Sequence, residues 1–289
     1  MKITVLHPYG WCEGVAVAVQ QLNQIIKKHK NKKICLIGWI VHNKHLIKDF
    51  TNRGVIVLDD TKHSRLSLLK SIKDPNTVVI LSAHGTPYDA IRYGSAYFKN
   101  FYDLTCKYVK NNIDLVKKLT KQGDYVIYYG KKNHPESNAI LAIDSSVVIV
   151  ESAIDIWKLK LDKNKRYVLI NQSTIAKDDV NEVVAALSVR TQSVNYINST
   201  CDATNQRHKN ILNLKKVDLL LVIGDSHSNN VNQLVNLAKK RNINVALVNS
   251  KEDIKKMTFA GIKHVAITSG TSTSLKEVNE IVDYIKKTI

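Results

Sequence analysis

From Ile3 to Lys286 the chain alternates apolar, β-branched runs of strand length with amphipathic helical stretches. Few architectures accept that pattern. Strands are expected at 2–6, 33–37, 55–58, 78–81, 125–129, 147–150, 167–170, 218–223, 244–248 and 264–268, with helices such as 15–28, 111–121, 177–187, 232–240 and 275–286 between them. Strands that regularly return through helices form parallel sheets covered on both faces, so the fold class is α/β. With only 4 prolines and 11 glycines there is no obvious linker to mark domain boundaries.

Three cysteines supply those boundaries. Cys12, Cys106 and Cys201 lie 94 and 95 residues apart, and none belongs to a CxxC pair. Each follows a β-like run and one or two turn or capping residues, and each precedes a helical pattern. A thiolate there is favoured by the unpaired N–H groups of the helix start. Cys35 differs: it sits inside the apolar run Ile34-Cys35-Leu36-Ile37 and reads as core. The spacing implies three similar α/β units, 13–104, 105–199 and 200–289, with 1–12 joining the last, each bringing one thiolate to a shared centre. Three thiolates at one centre mean a metal or an iron–sulfur cluster with one position open.

The formal net charge of +18 bears on partners. The lysines are spread over helix faces, as in Ile25-Ile26-Lys27-Lys28-His29-Lys30, and only 7% of residues are aromatic. A nucleic-acid surface would cluster its cations and interleave aromatics, so the charge reads as a solvated surface whose field an acidic partner would feel. No apolar run approaches the ~20 residues of a membrane helix. No signal or transit pattern opens the chain. Together with the sparse cysteines, this leads us to expect a reducing cytoplasm.

Six polar clusters follow expected strands: Val41-His42-Asn43, Ser82-Ala83-His84-Gly85, Gly130-Lys131-Lys132-Asn133-His134-Pro135-Glu136, Asn171-Gln172-Ser173-Thr174, Gly224-Asp225-Ser226-His227-Ser228-Asn229-Asn230 and Ser269-Gly270-Thr271-Ser272-Thr273. Carboxyl ends of strands are where open α/β sheets bind ligands. Hydroxyls, amides and histidines at helix starts suit an anion such as a phosphate. No Walker loop or GxGxxG is present, which argues against ordinary nucleotide binding. Glu136 shares a loop with His134, and a Glu near a metal centre and away from bulk water can have a raised pKa and deliver a proton.

Taken together, these motifs resemble the 4-hydroxy-3-methylbut-2-enyl diphosphate reductase family, also called IspH or LytB. The resemblance runs through Pro8-Tyr9-Gly10-Trp11-Cys12-Glu13-Gly14-Val15, the two histidine motifs, Asp103-Leu104-Thr105-Cys106, His134-Pro135-Glu136, Gln172-Ser173-Thr174 and Cys201 with Ala203-Thr204-Asn205. It implies three α/β domains arranged pseudo-threefold around one 4Fe–4S cluster. Cys12, Cys106 and Cys201 would be its ligands, leaving a fourth iron open to the substrate's allylic hydroxyl. His42, His84, His134, Ser228, Asn229, Asn230 and Ser272 would hold the diphosphate, and Ser173 and Thr174 would lie beside the hydroxyl. Glu136 would supply the proton. The implied reaction is a two-electron reductive dehydration giving isopentenyl and dimethylallyl diphosphate, the last step of the methylerythritol phosphate isoprenoid pathway. Its electrons would come from an acidic donor of the ferredoxin or flavodoxin kind.

The chain departs from the family's pattern at Tyr9-Gly10-Trp11, Lys107, Ser173, Asn229 and Ser274, while the ligand and proton-donor types are kept. Two other readings fit parts of the sequence. One is a catalytically degenerate relative holding a cluster or zinc; the other is a basic α/β nucleic-acid-binding protein with incidental cysteines.

Overall fold

A computed structural model describes residues 1–162, 164–175 and 177–288. Twelve strands and twelve helices alternate along the described residues. They begin β1 (Lys2–Val5), α1 (Glu13–Lys28), β2 (Ile34–Ile37), α2 (Lys44–Asn52), β3 (Val55–Leu58), α3 (Arg65–Ser71), β4 (Val78–Leu81), α4 (Tyr88–Tyr97) and β5 (Asn100–Asp103). Next come α5 (Lys107–Lys121), β6 (Tyr125–Tyr129), α6 (Pro135–Leu141), β7 (Val148–Val150), α7 (Ala153–Lys158), β8 (Tyr167–Asn171), α8 (Lys177–Arg190) and β9 (Val194–Ile197). The chain ends with α9 (Asp202–Leu212), β10 (Leu219–Ile223), α10 (Asn229–Lys240), β11 (Val245–Val248), α11 (Lys251–Lys255), β12 (His264–Ser269) and α12 (Leu275–Thr288).

All pairing is parallel, in three four-stranded sheets ordered β3-β2-β4-β5, β7-β6-β8-β9 and β11-β10-β12-β1. The three orders are one topology. In each sheet the first strand is flanked by the second on one side and by the third, then the fourth, on the other. The last sheet takes its fourth strand from the N-terminus, where Lys2 to Val5 pair with His264 to Ile267. The α/β class with parallel sheets therefore stands as expected.

Strand period two explains the cores. In the second sheet Val126, Tyr128, Val168 and Ile170 face Val116 and Leu119 of α5 and Ile140 of α6. The alternate residues Ile127, Leu169 and Tyr167 face Ile156 of α7 and Val180, Val183 and Leu187 of α8. The third sheet repeats this, with Leu219, Leu221 and Ile223 against α12 and Leu220 and Val222 against α10. Sheets covered on both faces need near-continuous apolar strands, and β10 reads Leu-Leu-Leu-Val-Ile, buried throughout.

Two strands went unnamed in the sequence reading, β5 and β9. Both are sheet edges, and both expose part of their length, so their apolar signal is weak. The spacing before the cysteines also needs correcting. Two residues separate β5 from Cys106, but three separate β9 from Cys201 and six separate β1 from Cys12. The longer arm is held by backbone: Leu6 N–H donates to Ile267 and Cys12 N–H to Thr271 (3.1 Å).

The chain divides into two compact units, one of residues 1–16, 42–45 and 201–289, the other of 17–41 and 46–200. The first contains the third sheet, and the second contains the other two. Among the described residues no helix is long and apolar enough to cross a membrane.

Candidate functional site

The shared topology marks one place in each sheet. From its first strand the chain steps to one side, then returns to the other, so the strand order reverses between strands one and three. Ligands in open α/β sheets bind at such a switch, beyond the carboxyl ends of the strands. His42 and His84 follow β2 and β4, His134 and Ser173 follow β6 and β8, and Ser228 and Ser272 follow β10 and β12. Each cysteine follows the fourth strand of a sheet, namely β1, β5 or β9. The outer strands β3, β7 and β11 are followed by none of the expected site residues.

In the larger unit the centre is Glu136. Pro135 opens α6, where its missing N–H costs nothing, and His134 caps the helix by accepting from Glu136 N–H through Nδ1 (3.2 Å). Glu136 is 1% exposed. Its Oε1 accepts from Asn112 Nδ2 (3.1 Å), Tyr128 O–H (2.8 Å) and Ser173 N–H (3.0 Å), and its Oε2 accepts from Ser173 Oγ (2.7 Å). Burial pushes the carboxyl pKa above its ordinary value; the bonds from Ser173, Tyr128 and Asn112 pull the other way and lose. Burial and the neighbouring Glu136 hold the Tyr128 phenol well above its usual range, so it stays a donor. In its acid form Glu136 has one outlet in this geometry, from Oε2 to the hydroxyl of Ser173.

The histidine loop lies close by. His84 and His134 meet edge to face, with ring centroids 5.7 Å apart. Cys106 caps α5, and its N–H donates to Ala83 (2.9 Å), tying the cysteine to the His84 loop. Gly85 has φ +92, and a Cβ there would lie 2.9 Å from Val109 of α5, so the turn requires glycine. Buried Arg65 braces the same loop, donating to Ser82 Oγ (2.6 Å), Gly85 O (2.8 Å) and Thr86 Oγ1 (2.7 Å) while paired with Asp60. Gln172 accepts from Lys131 N–H (2.9 Å), and Thr174 is half-buried beside Ser173. Lys107 is exposed, its ammonium 5.3 Å from the Tyr108 ring centroid.

The smaller unit gathers the remaining residues. Ser272 Oγ donates to His42 O (3.0 Å), while Asn43 Nδ2 donates to Ser272 O (3.0 Å) and to Glu277. Asp225 accepts from Lys44 N–H (3.2 Å), so three side chains pin the His42 segment. Burial raises the Asp225 pKa, but bonds from His227 and Lys44 outweigh it and hold the carboxyl below its ordinary value. Ser228 caps α10, and Asn229 is its first residue. Asn230 is buried: its Oδ1 accepts from Thr271 N–H (3.0 Å) and its Nδ2 donates to Thr204 Oγ1 (3.1 Å). Cys201 caps α9 and donates through Sγ to the same Thr204 hydroxyl (3.2 Å).

Cys12 and Cys201 thus share this unit, and Cys106 belongs to the other. All three are half-buried and stand immediately before a helix. Among the described residues no three Cys, His, Asp or Glu side chains converge as ligands of one metal ion. Thiolates are ligands that both iron–sulfur clusters and zinc accept, so the residue type at these three positions suits either group. Cys35 is buried in β2, and burial raises its thiol pKa, in keeping with a core role.

The sequence reading missed Asn112, Tyr128, Arg65 and Arg207, none of which lies in a motif, and it gave no role to Asp225 or Thr204, which it quoted only within a polar cluster and the third cysteine motif. Each comes to its position through helix or sheet packing, and a buried arginine has no local sequence signal. Arg207 is 1% exposed. Burial lowers its pKa from the ordinary value, and the sulfurs of Cys12 and Cys201 oppose that shift.

Comparison with known proteins follows the same lines. The family model described as LytB protein matches residues 3–286. A 4-hydroxy-3-methylbut-2-enyl diphosphate reductase of Malacoplasma penetrans is 36% identical, over 99% of this chain and 98% of its own length. One from Symbiobacterium thermophilum is 34% identical, over 99% and 97%. Among solved structures, the E-1-hydroxy-2-methyl-but-2-enyl-4-diphosphate reductase of Plasmodium falciparum superposes with a TM-score of 0.89 at 27% identity, covering 98% of this chain and 87% of that one.

Proposed function

The chain belongs to the LytB protein family, and we propose that it is a 4-hydroxy-3-methylbut-2-enyl diphosphate reductase. It replaces the allylic hydroxyl with hydrogen, consuming two electrons and two protons and releasing water, to give isopentenyl and dimethylallyl diphosphate. The observation that carries this reading is a buried acid with one outlet: Glu136, its pKa raised by burial, 2.7 Å from the Ser173 hydroxyl.

One 4Fe–4S cluster, held by Cys12, Cys106 and Cys201 with its fourth iron open, would supply single electrons and a Lewis acid at the hydroxyl. The rest of the chemistry falls to side chains. Glu136 passes a proton through Ser173 to the departing oxygen, so that the C–O bond breaks to water rather than hydroxide. Thr174, beside Ser173, orients that oxygen. His42, His84, His134, Ser228, Asn229, Asn230 and Ser272 bind the diphosphate, with helix starts and imidazoles matching its negative charge. Internal hydrogen bonds at Asn230, Ser228 and Ser272 preorganise these loops rather than leaving them to be ordered by substrate.

In this reading the three sheets are the cores of three domains, 13–104, 105–199 and 200–289 with 1–12. The protein works in the cytoplasm, and the formal charge of +18 favours an acidic ferredoxin- or flavodoxin-type donor.

Anaerobic purification or reconstitution tests the whole reading. The expected protein is brown, carries about four irons with matching sulfide, and converts the allylic diphosphate to both products with a reduced donor. A protein that stays colourless after reconstitution, or a loaded one that forms neither product, refutes it.

A further inference from the structure

Arg207 lies on α9, less than two turns beyond Cys201, and is almost wholly buried. Its guanidinium makes three hydrogen bonds, all to backbone carbonyls: Nε to Ser269 O (3.0 Å), Nη1 to Ala203 O (3.2 Å) and Nη2 to Gly10 O (2.6 Å). Those carbonyls come from three separate segments. Gly10 lies two residues before Cys12, Ala203 two residues after Cys201, and Ser269 three residues before Ser272. The Gly10 turn is further fixed by its N–H to Ser269 Oγ (2.8 Å) and by φ +81, where an added Cβ would lie 2.6 Å from Leu275.

Among the described residues no carboxylate pairs with Arg207; the acidic groups that act on it are the Cys12 and Cys201 sulfurs, which carry negative charge only as thiolates. A buried cation is costly unless its donors are satisfied and opposite charge lies near; three carbonyls meet the first need, and thiolate sulfur at Cys12 and Cys201 would meet the second. Arginine suits the position because its planar fork sends donors in several directions, whereas a lysine ammonium is a single point.

We propose that Arg207 is the positioning residue of the cysteine site in the smaller unit: it clamps the Cys12, Cys201 and Ser272 segments together and sets a fixed positive charge against anionic sulfur. The charge role rests on the cluster-binding function proposed above; the clamp role does not. As a resident cation it raises the reduction potential of a bound cluster, because added negative charge is stabilised beside it.

Two variants and two measurements test this. In the metal-free protein, Arg207→Lys keeps the charge but loses part of the fork. Amide hydrogen exchange at 10–12, 201–204 and 269–271 should quicken by roughly tenfold or more, while β4, β6 and β8 hold their protection. Unchanged exchange in those three segments overturns the clamp. In the loaded protein, Arg207→Gln should shift the cluster's midpoint potential to a more negative value, with Arg207→Lys closer to the unsubstituted protein. A Gln variant whose potential equals or exceeds that of the unsubstituted protein overturns the charge role. If the Gln variant does not fold, the Lys variant must still show its exchange change and a potential at or below the unsubstituted one. A protein that loads no cluster at all refutes the proposed function, and the exchange measurement still decides the clamp.

Discussion

Replacing Glu136 by Gln separates proton delivery from structure. In the folded protein Oε1 receives three donors, from Asn112, Tyr128 and Ser173 N–H, and Oε2 receives one, from the Ser173 hydroxyl. A glutamine with its carbonyl oxygen at the first position keeps the three donors satisfied. Its NH2 then faces Ser173 Oγ, which accepts instead of donating. All four hydrogen bonds at this position keep a donor and an acceptor, so the stability change should be within about 1 kcal/mol, or roughly 2–4 °C of melting temperature in a chain of this size. What the variant lacks is a proton to give, and turnover should fall on the order of 10² to 10⁴. Alanine is the contrast. It strands three buried donors at about 1–3 kcal/mol each, so Glu136→Ala should melt lower by roughly 6 °C or more. The assays are product formation under anaerobic conditions with a viologen donor, iron content, and thermal melts of both variants. Turnover of Glu136→Gln within about threefold of the unsubstituted enzyme would sink the proton-delivery role, since general acid catalysis contributes at least ~10². Equal melting of the Gln and Ala variants would sink the hydrogen-bond reasoning.

Other outcomes follow from the same geometry. Because the folded pKa of Glu136 lies above its ordinary value of 4.5, its contribution to stability is present below that value and is lost as pH rises through the folded pKa. Melts of the metal-free protein against pH should therefore decline on that rise, and Glu136→Gln should flatten the decline. Asp225 has the opposite sign: its lowered pKa gives stability above its ordinary 3.8 that is lost as pH falls through the folded pKa. Asp225→Asn, which also loosens the His42 segment, should raise KM for the diphosphate more than it lowers kcat; steady-state kinetics that show only a kcat loss would contradict this. Arg65→Met strands the largely buried Asp60 and should cost about 3–5 kcal/mol, read by denaturant titration. Alkylation of the metal-free protein followed by peptide mapping should label Cys12, Cys106 and Cys201 while Cys35, buried with a raised pKa, reacts only after unfolding.

Period-two strand runs and helical amphipathicity are local properties, and they were enough to determine the α/β class and most strands, with ends shifted by a residue or so. Edge strands were harder. Asn100-Phe101-Tyr102-Asp103 buries too little to carry an apolar signal, although its place before Cys106 marks it. The motif residues Cys12, His84, His134, Glu136 and Ser173 were legible because their chemistry is unusual for a turn. Their supports were not. Asn112 and Tyr128 look like ordinary residues of a helix and a strand, and only the packing of α5 and α6 on one face of the second sheet turns both toward Glu136.

The sequence by itself determined the fold class and singled out the cysteines, the Glu136 carboxyl and the polar clusters to which roles are proposed, because each is written in residue type and short-range spacing. The tertiary structure alone decided that burial overrides four hydrogen bonds at Glu136, that one topology in all three sheets sets the site residues at the switch points, and that Arg65 and Arg207 brace the loops bearing them. Those outcomes depend on which atoms share a low-dielectric interior, and residues 197 and 259 positions apart in the chain, Gly10 with Arg207 and with Ser269, meet there only after folding.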